Sequence, residues 1–170
     1  MSAVAPERDP ERDAVSDPEA SETQRYTRIL LASEGREISD AAIRRVLKLA
    51  HPSGASVHVF TIARIHGVAF GMQTPGLLPN KREWAEQRDI VAKTIKRLKH
   101  AGLDAEGHVL GTRKATQGIV NEAKKKGCEA IVMAADPDRH ILIRDMMWTQ
   151  EPQRVRRKAK VPVFLVVEDE

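Results

Sequence analysis

Residues 27–33 read TRILLAS and residues 129–135 read EAIVMAA. The apolar centre of each run is unbroken by the alternation that marks a half-exposed strand. Runs of this kind are buried on both faces, as central strands of a parallel sheet are. Around them, short apolar runs alternate with helix-period segments, which is the pattern of stacked β-α units.

Outward from the first run, Ser39 is placed to cap a helix with Ala42, Ile43, Val46, Leu47 and Ala50 on one face, ended by Pro52 and Gly54. Residues 56–62 (SVHVFTI) are rich in β-branched side chains and read as a second strand. The connection between the two strands is long enough for a right-handed helical crossover. Residues 63–79, with three glycines and two prolines, read as a long loop. Asn80 and Glu83 then form a cap pair for a helix striped by Trp84, Val91, Ile95 and Leu98 and stopped at Gly102.

Residues 105–110 follow as a third strand, and Thr112 as the cap of a helix facing inward through Ile119, Val120 and Ala123. That helix runs into three lysines at 124–126, which suit its dipole, and stops at Gly127. Beyond the fourth strand, residues 136–150 read as a loop. Pro152 suits the first position of a last helix carrying Arg154, Arg156, Arg157, Lys158 and Lys160, and residues 163–167 make a fifth strand.

A chain of 170 residues with 41% apolar and 31% charged side chains is one soluble domain. Its lone Cys128 excludes disulfides and cysteine-based zinc. The net charge of +4 is unevenly spread: residues 1–25 hold seven acids and three arginines, leaving a surplus of eight positive charges on the remainder. That surplus favours phosphate-bearing ligands only in general. The arginines and lysines of the last helix lack the interleaved aromatics of a stacking platform, so nucleic acid is not an expected partner. Residues 1–24, acidic and without an apolar anchor, read as a disordered leader ahead of a domain at 25–170. A secretory signal's basic start and apolar stretch are not there, and no apolar run is long enough to span a bilayer. A cytoplasmic protein without membrane insertion is expected.

In a doubly wound sheet, ligands bind beyond the carboxyl ends of the strands where the strand order reverses. That directs attention to the turn at Glu34 and Gly35 and to the loop that follows the fourth strand. The turn offers a carboxylate for a ribose hydroxyl or an amine. The loop offers Asp136, Pro137 and Asp138, and no glycine lies between Ala134 and Gln150. Carboxylates repel phosphate and proline withholds an amide donor, while Arg139, His140 and Arg144 work in the opposite direction. The helix start at Gly111, Thr112, Arg113 and Lys114 suits an anion, although simple capping is the plainer reading.

Histidines at 51, 58, 66, 100, 108 and 140 lack the i, i+4 spacing of a helical zinc site, and Glu34, Asp136 and Asp138 match no calcium loop, so no metal ligand is assigned. No nucleophile elbow, readable Ser-His-Asp set or Walker lysine is present, and no catalytic residue is assigned.

Taken together, RILLASEG, SVHVFTI, EAIVMAA and RVRRKAKVPVFLVV resemble the first, second, fourth and closing segments of the universal stress protein family, over nearly everything from Arg25 to Val167. The resemblance implies a Rossmann-like α/β domain, akin to the adenine nucleotide alpha hydrolases, with five parallel strands in the order 3-2-1-4-5. It also implies a homodimer paired through the strand at 163–167. Nucleotide-binding members carry an aspartate after strand one and Gly-x-x-Gly, then Gly-Ser or Gly-Thr, after strand four. The acid here is Glu34; Asp136 and Arg139 fall on the paired glycines, Thr149 and Gln150 on the Gly-Ser step. Ser33, Gly35, Ile62 and Ala134 complete the positions where the resemblance puts a cofactor.

Two functions from different classes follow. The preferred one is a non-enzymatic stress-response protein that acts by binding and dimerisation, outside the usual ATP mode and with no resident cofactor. The alternative is an ATP binder with a remodelled phosphate loop and at most slow hydrolysis. A regulatory protein partner, such as a membrane transporter under its control, rests on family analogy alone.

Overall fold

The computed structural model describes residues 24–64, 81–135 and 151–167. In chain order the elements are β1 (Arg28–Ser33), α1 (Asp40–Leu49), β2 (Ser56–Arg64), α2 (Lys81–His100), β3 (Asp104–Thr112), α3 (Ala115–Lys125), β4 (Ala130–Ala135), α4 (Glu151–Lys158) and β5 (Val163–Val167). The strands form one sheet in the order β3-β2-β1-β4-β5, and every pairing is parallel. The expected topology is therefore the observed one.

Strand alternation divides the core between the two faces of the sheet. Ile29 and Leu31 of β1, Val57 and Val59 of β2 and Val132 of β4 meet Val46 and Leu49 of α1 and Val91 and Leu98 of α2. On the other face, Leu30, Phe60, Ile62, Ile131 and Met133 meet Ile119 and Ala123 of α3 and Val155 of α4. β1 and β4 lie inside the sheet and need both faces apolar, which accounts for their unbroken runs. β3 is an edge strand. Its Ala105 and Val109 pack toward α2, while Glu106, His108 and Leu110 are exposed on the opposite face.

Several boundaries and faces differ from the sequence reading for identifiable reasons. Ser39 does cap α1, its hydroxyl accepting from the Ala42 amide at 3.1 Å. Leu49 rather than Leu47 completes the buried stripe with Ala42, Ile43 and Val46, and Leu47 is exposed, being one step out of helical phase. Ala50 is the extended C-cap, joined to Tyr26 by a parallel bridge. In α2 the inward residues are Gln87, Val91, Thr94 and Leu98, with Trp84 and Ile95 only half-buried.

β2 and β3 stay paired as far as Arg64 and Thr112, beyond the apolar centres that marked them. Thr112 consequently ends a strand and is not the helix cap. That position falls to Lys114, which makes no side-chain cap, and the Thr112 hydroxyl accepts instead from the Lys114 amide at 3.0 Å. Gly127 stops α3 with φ of +62°, a conformation that disfavours any side chain. Asn80, the proposed partner of Glu83 in a cap pair, and the leader at 1–23 lie outside the described residues, as does most of the 63–79 loop.

Candidate functional site

The register brings the carboxyl ends of β2, β1 and β4 side by side: Ser33 pairs with Thr61, and Ala32 with Met133. Ser33, Glu34, Ile62 and Ala134 therefore gather within a residue or so of one line across the sheet. Asp136, Arg139, Thr149 and Gln150 lie outside the described residues, as do His140 and Arg144.

The turn after β1 is tightly organised. The Ser33 hydroxyl donates to the Arg36 carbonyl at 2.6 Å and accepts from the Arg36 amide at 2.9 Å. Gly35 makes the turn with φ of +108°, which an L side chain rarely adopts. The Gly35 carbonyl in turn accepts from the Gln87 amide nitrogen of α2 at 3.0 Å, tying the turn to that helix. Glu34 is only 1% exposed, and its carboxylate is held by the Arg36 guanidinium, through Nε at 2.9 Å and through a second nitrogen on the same oxygen. A buried carboxylate requires such a partner, because desolvation of an unpaired charge costs several kcal/mol. Ile62 turns its side chain into the core beside Phe60 and Ile119, and Ala134 is half-buried.

A second polar constellation lies toward the other end of the sheet, on the face that β3 leaves open. His58 of β2 pairs in register with Glu106 of β3, and Phe60 with His108, so the two histidines stand one diagonal step apart on the same face. Their rings meet edge-on with centroids 5.2 Å apart. Glu122 enters from α3, where it shares the buried stripe of Ala115, Thr116, Ile119 and Ala123. The His58 Nδ1 atom lies 3.2 Å from Glu106 Oε1, and that carboxylate also accepts from Lys126 Nζ at 2.9 Å.

The hydrogen bond from Lys126 holds the Glu106 carboxyl below the usual carboxylate range and raises Lys126. Burial lowers the His58 value, with Lys126 acting in the same direction and Glu122 against it. Beside these groups a cleft of about 290 Å³ opens at the amino ends of β1, β2 and β3, lined by Arg28, Ser56, His58, Asp104, Glu106 and Lys126 among others. Sequence spacing did not reveal this cluster because its members sit on three different elements.

The fold is that of a small, doubly wound, Rossmann-like α/β domain. The sequence matches the universal stress protein family over residues 25–167, and the chain belongs to that family. No curated protein sequence matches it.

Among solved structures it is similar to a universal stress family protein from Burkholderia pseudomallei, with 19% identity, a TM-score of 0.60, and coverage of 83% of this chain and 96% of that one. It also resembles the universal stress protein from Archaeoglobus fulgidus in complex with dAMP, at 21% identity and TM-score 0.57, covering 82% of this chain and 97% of that one. A universal stress protein in complex with cAMP aligns with 19% identity and TM-score 0.59, over 86% of this chain and all of the other. Among the described residues, no helix is long and apolar enough to cross a membrane.

Proposed function

We propose that this universal stress protein acts as a non-enzymatic binding protein that pairs with a second copy of itself and does not hold ATP in the manner usual for the family. The observation that carries the reading is the Glu34–Arg36 pair. The acid at the position where nucleotide-binding relatives present an aspartate is buried against its own turn. A ligand hydroxyl or amine would compete with the guanidinium for Oε1 and would have to enter a turn that leaves Glu34 only 1% exposed. The loop after β4 adds to the misfit, since it has no glycine between Ala134 and Gln150 and carries Asp136, Pro137 and Asp138. A triphosphate needs close backbone approach and free amides; this sequence has no glycine for the approach, and Pro137 withholds one amide beside two carboxylates.

Pairing through β5 is supported by its place at the sheet edge and by its run of Val163, Phe164, Leu165, Val166 and Val167. An apolar edge with unpaired backbone groups is a template for strand addition.

The second reading, an adenine-nucleotide binder with a remodelled loop, draws its support from the structural neighbours solved with cAMP and dAMP. Calorimetry on the full chain decides between the two, with Mg-ATP, AMP and cAMP titrated separately. The expected result is no binding tighter than about 100 μM, near −5.5 kcal/mol. Submicromolar affinity for any of the three, lost in Glu34→Ala, would replace the first reading with the second.

A further inference from the structure

The His58 imidazole lies between two carboxylates, with Glu106 Oε1 3.2 Å from Nδ1 and Glu122 Oε1 3.1 Å from Nε2. A neutral imidazole has one N–H to give, so one ring nitrogen presents a lone pair to a carboxylate oxygen. Geometry places the deficit on the inner side. The Nδ1 contact with Glu106 is aligned as a hydrogen bond, whereas among the described residues neither His58 Nε2 nor Glu122 Oε1 has a hydrogen-bond partner. Both residues are more than nine-tenths buried, at 6% and 7% exposure. The two atoms face each other at 3.1 Å without the alignment of a hydrogen bond, and a cation placed against both would satisfy the imidazole lone pair and the carboxylate together.

A third donor converges on the same point. His108 Nε2 lies 3.8 Å from Glu122 Oε1, and one ligand atom from each of His58, His108 and Glu122 falls within 4.8 Å of the other two. Bonds of about 2.0–2.1 Å to nitrogen and oxygen put tetrahedral ligands about 3.3–3.4 Å apart. The His58–Glu122 edge is already close to that value, and the longer separations involve His108, which is 43% exposed and has room to turn.

Behind the histidine stands a carboxylate. Glu106, itself anchored by Lys126, accepts from His58 Nδ1 in the arrangement that fixes the tautomer and orientation of a metal-bound imidazole. We propose that His58, His108 and Glu122 form a binding site for a borderline divalent transition metal, of which zinc is the natural example. The fourth position, on the side of exposed His108, is left to water. The bound ion would join edge strand β3 to β2 and α3.

The test uses the full chain, stripped with a chelator and titrated with ZnCl₂ by calorimetry, and separately with Co²⁺ followed by visible absorption. The expected result is one ion per chain with a dissociation constant below about 1 μM, and with Co²⁺ the strong absorption of four-coordinate ligation. His108→Ala alters an exposed side chain and Glu122→Gln keeps its shape, so both should fold, as circular dichroism will verify. Each should weaken zinc at least about 100-fold, and Glu106→Gln about 10–100-fold. His100→Ala, on an exposed helix end, should change nothing. Failure to bind zinc at one per chain, or binding that survives both His108→Ala and Glu122→Gln, would overturn the site. So would an NMR signature of His58 as an imidazolium, unchanged by added zinc. ATP calorimetry bears on none of these outcomes.

Discussion

Gly107 of β3 lies directly against the Val59 carbonyl of β2: a β-carbon at this glycine would stand 2.1 Å from the Val59 oxygen. The two residues are register partners, so the clash would be with the neighbouring strand's backbone and has no flexible side chain to absorb it. Gly107 also sits between Glu106 and His108, the two residues that β3 contributes to the polar cluster.

Gly107→Ala should accordingly push β3 away from β2 and destabilise the chain by about 1–3 kcal/mol, in the range of overpacked core sites. Urea denaturation with an unchanged slope and a lowered midpoint is the expected result. A stability equal to that of the parent would mean that β3 does not approach β2 this closely.

A second contact links segments far apart in the chain. The Glu129 carboxylate, just before β4, accepts from the Thr27 amide at 2.8 Å and from the Thr27 hydroxyl at 3.0 Å. Those bonds, the backbone one foremost, hold its carboxyl below the ordinary glutamate value of 4.5. A folded value below the unfolded one stabilises the native state above the unfolded value, and the contribution disappears as pH falls through the folded value. Glu129→Gln should therefore lower the urea midpoint at neutral pH, and its difference from the parent should shrink as pH falls below about 4.5. A difference independent of pH would show that charge is not what Thr27 recognises.

The centre of the sheet was legible because burial on both faces leaves an unmistakable trace, as in Ile29, Leu30 and Leu31 of β1 and Ile131, Val132 and Met133 of β4. Strand order was not legible from periodicity and came with the family resemblance. The ends of β2 and β3 were understated because edge pairing continues through residues that bury little, such as Gly111 and Thr112. Thr112 has the look of a cap but ends a strand for the same reason.

In the crevice, Glu34 was found from its place after β1, but its closure by Arg36 depends on the turn that Gly35 makes. The histidine cluster leaves only a faint trace in the sequence. Mid-strand histidines in SVHVF and EGHVL fall on one face once β2 and β3 are neighbours, and Glu122 lies one turn from Ile119 on the inward stripe of α3. Only the assembled sheet and helix bring the three together.

Cys128 offers a probe of native packing. Burial raises its thiol to about 11, although it borders the cleft at the amino ends of the strands. At pH 8 only about one molecule in 10³ would carry the reactive thiolate. Iodoacetamide should label the native protein at least about 100-fold more slowly than the urea-unfolded chain, in which the thiol has its ordinary value near 8.5. Labelling at comparable rates would show that the β3-side cleft opens readily to solvent.

The proposed dimer rests on β5, and Val167 is the residue with which to test it. At 43% exposure it gains little from the monomer's own core, whereas Leu165 packs against the cluster on the α3 and α4 face. A lysine at 165 would damage fold and interface together. A lysine at 167 spares the monomer's core and sets a charge on the edge strand beside the backbone groups that a second copy would pair with. Light scattering at tens of micromolar should give twice the chain's 18.9 kDa mass for the parent. Val167→Lys should shift the equilibrium toward monomer by at least about tenfold, or about 1.4 kcal/mol, with an unchanged circular dichroism spectrum. A parent that sediments as a monomer, or a dimer indifferent to the substitution, would show that β5 is closed by something other than a second copy.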